Sequence, residues 1–542
     1  VSRKLAKEIE KRRTFAIISH PDAGKTTMTE RLLLMGGAIK MAGAVKAKKS
    51  KLHATSDWME IEKKRGISVT SSVLKFPYNG YEVNLIDTPG HQDFSEDTYR
   101  TLTAVDSVLM LLDAAAGVEE QTKKLFSVCH MQKTPVIAFI NKMDREGKDA
   151  FSLLEDIENV LGIATYPMTW PVGSGDRFKG LYHRQNRQLH LFCQDKPFVL
   201  DPGEYSLAPY EISEQLAEPF QEALELLDGA GNSWDVEAFR RGELAPVFFG
   251  SAMKNLGVAL TFDHLLKLAL PPSPRKAKER VVSPMEDQFS GFIFKIQANM
   301  DPSHRDRIGF MRICSGVFER DMKVHLVRQG KQMRLSRPTK FMAKDRSLIE
   351  TAYAGDIVGV HDPGVFMIGD TITQGERLHF QGIPVFAPEH FATVQLKDPL
   401  KSKQLHKALK QLGEEGAVQV FHKVAEQRLD LGVVGELQFD VVKFRLKEEY
   451  GVNVELLALP YSVARWITPK NTQTDPQKDP HMQTFQQSFM SNMFFDVSLR
   501  PVVIADAPWR VDLWKERYPH ILFHVTHEKA ILLGDELQQD RT

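Results

Sequence analysis

Cysteine is scarce in this sequence: Cys129, Cys193 and Cys314 are the only three in 542 residues, each more than sixty positions from the next. That spacing excludes a disulfide framework and a C-x-x-C metal site, and it predicts a reducing compartment. Long apolar runs are missing too. No eighteen consecutive residues are apolar, and residues 1–13 are charged without an apolar centre, so neither a membrane span nor a leader peptide is expected and the cytoplasm is the expected location. Net charge is absent as well, with 70 Lys plus Arg against 70 Asp plus Glu. A neutral chain has no whole-molecule field to steer it to DNA or a membrane, so any contact with RNA or phosphate has to be local. The 18 histidines show no H-E-x-x-H or comparable ligand spacing.

What is present points to several packed domains. With 42% hydrophobic and 26% charged residues the chain can build real cores, and its length exceeds what one core organises. Within an expected first domain at 1–275, the first 144 residues alternate short apolar runs with amphipathic segments, the rhythm of an open α/β sheet. Strands are expected at 15–18, 69–76, 81–86, 107–112 and 136–140, with a helix at 25–35 and a hairpin turn at Asn79-Gly80. The rhythm breaks over about 150–240, read as an insertion, and resumes at 246–249. Pro271-Pro-Ser-Pro274 marks a linker. Residues 285–382 are rich in β patterns without a long helix, which predicts a small β-barrel. Residues 388–535 run strand, helix, strand twice and predict an α+β ferredoxin-like domain. A disordered tail is expected over 536–542.

Three motifs carry chemistry. Ser19-His20-Pro21-Asp22-Ala23-Gly24-Lys25-Thr26-Thr27 lies between the first strand and its helix and fits the phosphate-binding loop G-x-x-x-x-G-K-[ST], with Ser in the first place. Backbone N–H groups of such a loop cradle phosphates, Lys25 neutralises their charge and the Thr26 hydroxyl suits Mg²⁺. Asp87-Thr88-Pro89-Gly90-His91 follows an apolar strand, where a carboxylate near Mg²⁺ and a γ-phosphate-sensing amide are needed. Alone it also reads as a turn. Asn141-Lys142-Met143-Asp144 ends another strand, and its Asp can accept from both donors on the Watson–Crick edge of guanine. Gly250-Ser251-Ala252 ends the resumed strand and would back the guanine oxygen.

Taken together these motifs resemble the translational GTPases of the elongation factor G-like superfamily, with His in place of the usual Gln at the attacking water. The similarity is closest to the bacterial peptide chain release factor 3 family. It is carried by the phosphate loop, by Ser56-Asp-Trp-Met-Glu60 and by Arg65-Gly-Ile-Ser-Val-Thr70. Further along it rests on Phe292-Ile-Phe-Lys-Ile-Gln-Ala-Asn-Met-Asp301, Glu414-Glu-Gly-Ala-Val-Gln-Val-Phe421 and Gly435-Glu-Leu-Gln-Phe439. The resemblance implies a P-loop GTPase domain with an insertion, a translation-factor barrel and an α+β C-terminal domain. It implies GTP or GDP on residues 19–27 and 87–90, with the base on Asn141, Lys142, Asp144, Ser251 and Ala252. Mg²⁺ would lie on Thr26, Ser68 and Asp87, with Thr70 competing for the place of Ser68, and His91 would position the hydrolytic water.

The implied function is a ribosome-dependent GTPase of translation termination that promotes departure of class 1 release factors after peptide release. Its partners would be ribosomal RNA and proteins and the class 1 factor, with the chain itself a monomer. Five lysines in residues 40–51 read either as a solvated loop or as contacts to ribosomal RNA phosphates. Only about 150 residues follow the barrel, so the further domains of elongation factor G are not expected. A nucleotide-controlled binding protein is the alternative class, and His91 separates the two because a pure sensor needs no water-orienting side chain.

Overall fold

The computed structural model describes residues 3–39, 70–193, 196–200, 205, 207, 212–298, 307–335, 339–342, 345–381, 383, 385–423, 428–470, 479–497 and 499–525. Ser68, the lysines of 40–51 and the tail at 536–542 lie outside them.

Strands β1 (Arg12–Ser19), β2 (Ser72–Tyr78), β3 (Tyr81–Asp87), β4 (Ser107–Asp113), β5 (Val136–Asn141) and β6 (Ala164–Pro167) belong to one sheet. Strands β7 (Thr169–Val172), β8 (Gly180–His183), β9 (Gln188–Leu191) and β10 (Phe198–Val199) form a separate antiparallel meander before β11 (Leu244–Phe249) rejoins the first sheet. The sheet order is β2-β3-β1-β4-β5-β11-β6. Every neighbouring pair is parallel except the β2–β3 hairpin. That hairpin turns on Asn79 (φ 45°) and Gly80 (φ 82°), the two left-handed residues that match a tight turn to strand twist. Period-two alternation sends Ala16, Ile18, Met110 and Leu112 into one apolar cluster and Phe15, Ile17, Leu109 and Leu111 into the other. A parallel sheet covered on both faces needs such continuously apolar strands. The order reverses at β1, which opens a crevice at the carboxyl edge.

The expected insertion at 150–240 is shorter in the structure. Helix Ala150–Leu161 leads into β6, the seventh strand of the main sheet, and only the meander from β7 onward stands apart. A single residue, Met168, separates β6 from β7, so the two strands of different sheets read as one run.

The barrel is built on an eight-stranded antiparallel sheet around Ser290–Ala298 and Arg307–Ser315, closed over Ile293, Phe318, Val324 and Phe366. In the C-terminal domain His390–Leu396, Ser402–Glu414, Gln419–Lys423, Arg428–Val433, Leu437–Glu448 and Val454–Ala458 make the anticipated split βαβ unit. A second unit of the same order follows, from Val463–Pro469 to Ile521–His524. Gln419–Lys423 pairs with Met493–Asp496, so the two units share one eight-stranded antiparallel sheet.

Buried charges join the domains. Asp356 of the barrel accepts from Lys75 Nζ (2.5 Å) and Asn84 Nδ2 (3.3 Å) on one oxygen, and from Arg12 Nε (2.8 Å) and Tyr353 N (3.0 Å) on the other. Asp106, ahead of β4, accepts from Arg275 (2.9 Å) and from the fully buried Arg312 of the barrel (2.5 Å).

Candidate nucleotide-binding site

The three nucleotide motifs and Gly250 lie at the carboxyl edge of the main sheet. The loop 19–27 follows β1, Asp87 ends β3, Asn141 ends β5 and Gly250 follows β11. The loop is held open by backbone geometry. Asp22 (φ 65°) and Gly24 (φ 100°) are left-handed, and a Cβ on Gly24 would stand 2.3 Å from Asn141 Nδ2, so no larger residue fits. Ser19 Oγ donates to the His20 carbonyl (2.9 Å), and His20 Nε2 stands 3.2 Å from Glu119 Oε1. Pro21 backs Gly90, whose Cβ would lie 3.6 Å from the Pro21 Cα. Thr26 and Thr27 open the helix Lys25–Met35 and are half-buried, while Ala23 is buried.

Lys25 Nζ sits 2.7 Å from Asp87 Oδ1, with both side chains buried. Asp87 Oδ2 is buried and has no hydrogen-bond partner among the described residues. An orphaned buried carboxylate oxygen is costly unless a ligand, ion or water completes it, and here it stands beside the phosphate loop. That oxygen, with the hydroxyl of Thr26 nearby in the chain's motif, is a donor set suited to a hard cation such as Mg²⁺. Thr88 Oγ1 donates to the Ile17 carbonyl (2.7 Å), pinning the start of the second motif to β1, and the Pro89 carbonyl accepts from Thr98. His91 caps the short turn Gln92–Phe94: its Nδ1 accepts from the Asp93 N–H at 3.2 Å and lies 3.1 Å from Asp93 Oδ1. Its ring tilts against Phe94.

The guanine motif divides into two kinds of residue. Asn141 is a staple, because its Nδ2 donates to the Ala23 carbonyl (2.7 Å) and its Oδ1 accepts from the Ala252 N–H (2.8 Å). It ties the phosphate loop to the segment after β11. The Ser251 N–H is spent on the Leu256 carbonyl, and Ser251 Oγ accepts from Lys254 N. Lys142, left-handed at φ 66°, pairs through Nζ with Asp113 Oδ2 at 2.6 Å. Among the described residues Asp144 pairs with Lys254 at 3.6 Å, beyond hydrogen-bond distance, so its carboxylate retains acceptor capacity. Asp113, Glu119 and Lys254 were missed in the sequence, where isolated charges at a strand end or on loops carry no motif. Thr70 lines a small cavity of about 70 Å³ between domains, with Phe94, Asp97 and Lys295.

Residues 10–272 match the family described as elongation factor Tu GTP binding domain, and 288–375 match elongation factor G domain 2. Residues 380–515 match the class II release factor RF3 C-terminal domain. A peptide chain release factor 3 from Symbiobacterium thermophilum is 58% identical over 471 residues, covering 85% of this chain and 89% of that one. Its counterpart from Gloeobacter violaceus is 51% identical over 534 residues, covering 96% and 98%. The chain belongs to the peptide chain release factor 3 family. A third release factor 3, from Cyanothece, is 52% identical over 86% of this chain and 87% of its own. A crystal structure of a Thermus thermophilus protein superimposes with a TM-score of 0.67 at 25% identity, covering 84% of this chain and 68% of that one. As a member of this family, the chain is a GTP-binding translational GTPase of termination.

Proposed function

We propose that this GTPase is stimulated by the ribosome and that it promotes dissociation of class 1 release factors after peptide release, hydrolysis driving its own departure. The observation that carries the reading is the convergence of three motifs on one sheet edge, joined by the Asn141 staple between the phosphate loop and the segment after β11. In this proposal residues 19–27 hold the phosphates, with Lys25 exchanging Asp87 for phosphate oxygens. Thr26 and Asp87 hold Mg²⁺, which when bound neutralises charge on the β- and γ-phosphates. Asp144 reads guanine, while Asn141, Lys142, Ser251 and Ala252 shape its pocket. Ser68 is kept as a proposed ligand, outside the described residues.

His91 orients the attacking water, and Gly90 senses the γ-phosphate. A residue set with a water-orienting imidazole favours an enzyme over a pure nucleotide sensor. The proposed working division is a GTPase domain at 1–275, a barrel at 285–382 and an α+β domain at 388–535. A monomer acting in the cytoplasm on ribosomal RNA and proteins completes the proposal.

Ribosomes halted after peptide release and carrying a fluorescent class 1 factor provide the test. Adding the protein with GTP should shorten the factor's residence time without hydrolysing peptidyl-tRNA. Unchanged residence with folded, GTP-loaded protein would contradict the proposal.

A further inference from the structure

The motif residues of the barrel and the C-terminal domain, which the nucleotide chemistry does not use, meet at one place. Lys295 Nζ donates to the Ser71 carbonyl (2.7 Å) and approaches Asp97 Oδ2 (3.2 Å). The Gly416 carbonyl accepts from Arg100 Nη1 at 3.2 Å. Asp97 and Arg100 lie on the helix Ser95–Leu102, which follows directly on His91 and Asp93.

The closest of these contacts reaches the catalytic loop itself. Asp93 Oδ2 accepts from the Leu437 N–H at 2.7 Å, capping the helix Leu437–Glu448 from another domain. That helix has no side-chain cap of its own. The opposite oxygen, Oδ1, is the one 3.1 Å from His91 Nδ1. Gly435 packs so tightly on Asp93 that a Cβ there would stand 2.3 Å from its Cγ and 2.4 Å from its Cα. The loop carrying Gly435 is shaped from within, since Gln438 Oε1 accepts from both Val434 N (2.8 Å) and Gly435 N (3.2 Å).

We infer that Asp93 is a positioning residue for His91 and that residues 435–437 of the C-terminal domain set its place, so that domain docking and imidazole orientation are one linked event. The inference rests on the proposed role of His91 and extends it. Asp93 gives one oxygen to Leu437 and turns its N–H and its other oxygen to His91 Nδ1, which accepts from the N–H when bare and donates to the oxygen when it carries the proton, and its main chain is clamped against Gly435. The loop from Gly90 to Phe94 therefore cannot move toward a γ-phosphate without moving or breaking the contact with Leu437. Conversely, withdrawal of the C-terminal domain frees the carboxylate and lets the imidazole swing.

The test uses the full chain with Gly435→Ala, Asp93→Ala and Asp93→Asn. Gly435→Ala, in a different domain from the nucleotide site, should leave GDP and GTP affinity within about twofold. It should slow single-turnover hydrolysis on saturating ribosomes by about 10-fold or more, the scale of a lost positioning contact. Asp93→Ala should be equally slow, whereas Asp93→Asn, which still accepts from Leu437 N–H and can donate to His91 Nδ1, should recover most of the rate. In a His91→Ala background Gly435→Ala should add less than about twofold. A wild-type rate for Gly435→Ala, or full additivity with His91→Ala, would overturn the inference.

Backbone deuterium exchange at the first turn of the helix Leu437–Glu448 reads the linkage without relying on His91 chemistry. It should differ between GDP and a non-hydrolysable GTP analogue in the wild type, and should be fast with both in Asp93→Ala. Equal exchange with both nucleotides in the wild type would overturn the linkage. Normal hydrolysis by His91→Ala, with the exchange difference intact, would remove only the catalytic role of His91 and leave the linkage standing.

Discussion

Lys25 with Asp87 at the carboxyl edge, and Lys75 with Arg12 and Asp356 at the seam with the barrel, are equally well buried ion pairs, yet they are completed differently. Both oxygens of Asp356 are engaged, each by two donors. Asp87 uses one oxygen for Lys25 and leaves the other without a partner among the described residues. Burying charge is costly, and a buried carboxylate with both oxygens paired is a structural joint. One left half-satisfied next to a phosphate loop is arranged for something else to complete it. The same difference separates Asn141, whose amide is used at both ends, from Asp144, whose carboxylate pairs with Lys254 at the longer distance of 3.6 Å.

The contrast breaks most visibly at Asp144. Asp144→Asn exchanges a double acceptor for a group with its own donors, which leaves guanine N–H groups unpaired and suits the carbonyl of xanthine. Sites built on such hydrogen bonds discriminate by about 10⁴-fold. Competition binding should therefore show preference inverted toward xanthosine nucleotides, and retained guanine preference would assign the base to other residues.

The seam should respond in stability and leave nucleotide chemistry alone. Asp356→Ala strands Lys75 in the interior and leaves Arg12 with Glu8 as its remaining carboxylate partner, and should cost about 3–5 kcal/mol by denaturant titration. Burial by itself would raise the Asp356 carboxyl, but Lys75 and Arg12 outweigh it and hold the group well below the usual carboxylate range. Its folded value lies below the unfolded one near 3.9, so its contribution is present above about pH 3.9 and is lost as pH falls further. Acid titration of wild type against the variant should converge at low pH, and parallel curves would contradict this.

At the catalytic edge the effect should be on rate. His91→Ala should bind GTP and ribosomes nearly as the wild type does, while single-turnover hydrolysis on ribosomes falls by about 10²-fold or more. Loss of GTP binding instead would make His91 a structural member of the loop.

The smallest expected effect lies in a third buried group, which belongs to neither class. His183 is buried against His264, with ring centroids 4.1 Å apart, and burial first, then His264 and His190, push its pKa down to about 3. The unfolded ring titrates near 6.5, so stability is full above that pH and declines toward about 3, at up to about 1.4 kcal/mol per unit. His183→Asn keeps an acceptor for the Asn186 N–H and cannot titrate over that range. Melting curves between pH 7 and 5 should fall less steeply for it, and identical slopes would exclude His183.

How legible these features were in the sequence follows the range of the interactions behind them. The strands of the main sheet and the loop 19–27 depend on local pattern, and the expected positions fall on the observed elements with small shifts at their ends. β6 and β7 escaped separation because one residue divides two sheets. The second split βαβ unit was illegible for a related reason. Its helix Pro508–Arg517 exposes Trp509 and Leu513 while burying Val511 and Trp514, which blurs helical periodicity. Gly435 sits in a family-like segment and Asp93 two residues beyond the Asp87–His91 motif, but their contact spans more than three hundred residues, and no local pattern encodes it.

The measurement that tests the account most directly is GTP turnover by the intact protein with and without ribosomes. A site whose phosphate and base groups are prearranged but whose His91, the proposed water-orienting residue, is held on Asp93 and Phe94 should hydrolyse GTP slowly alone and at least about 10²-fold faster on ribosomes. The same slow rate in both conditions, with GTP bound, would contradict the proposal that this edge is a ribosome-stimulated catalytic site.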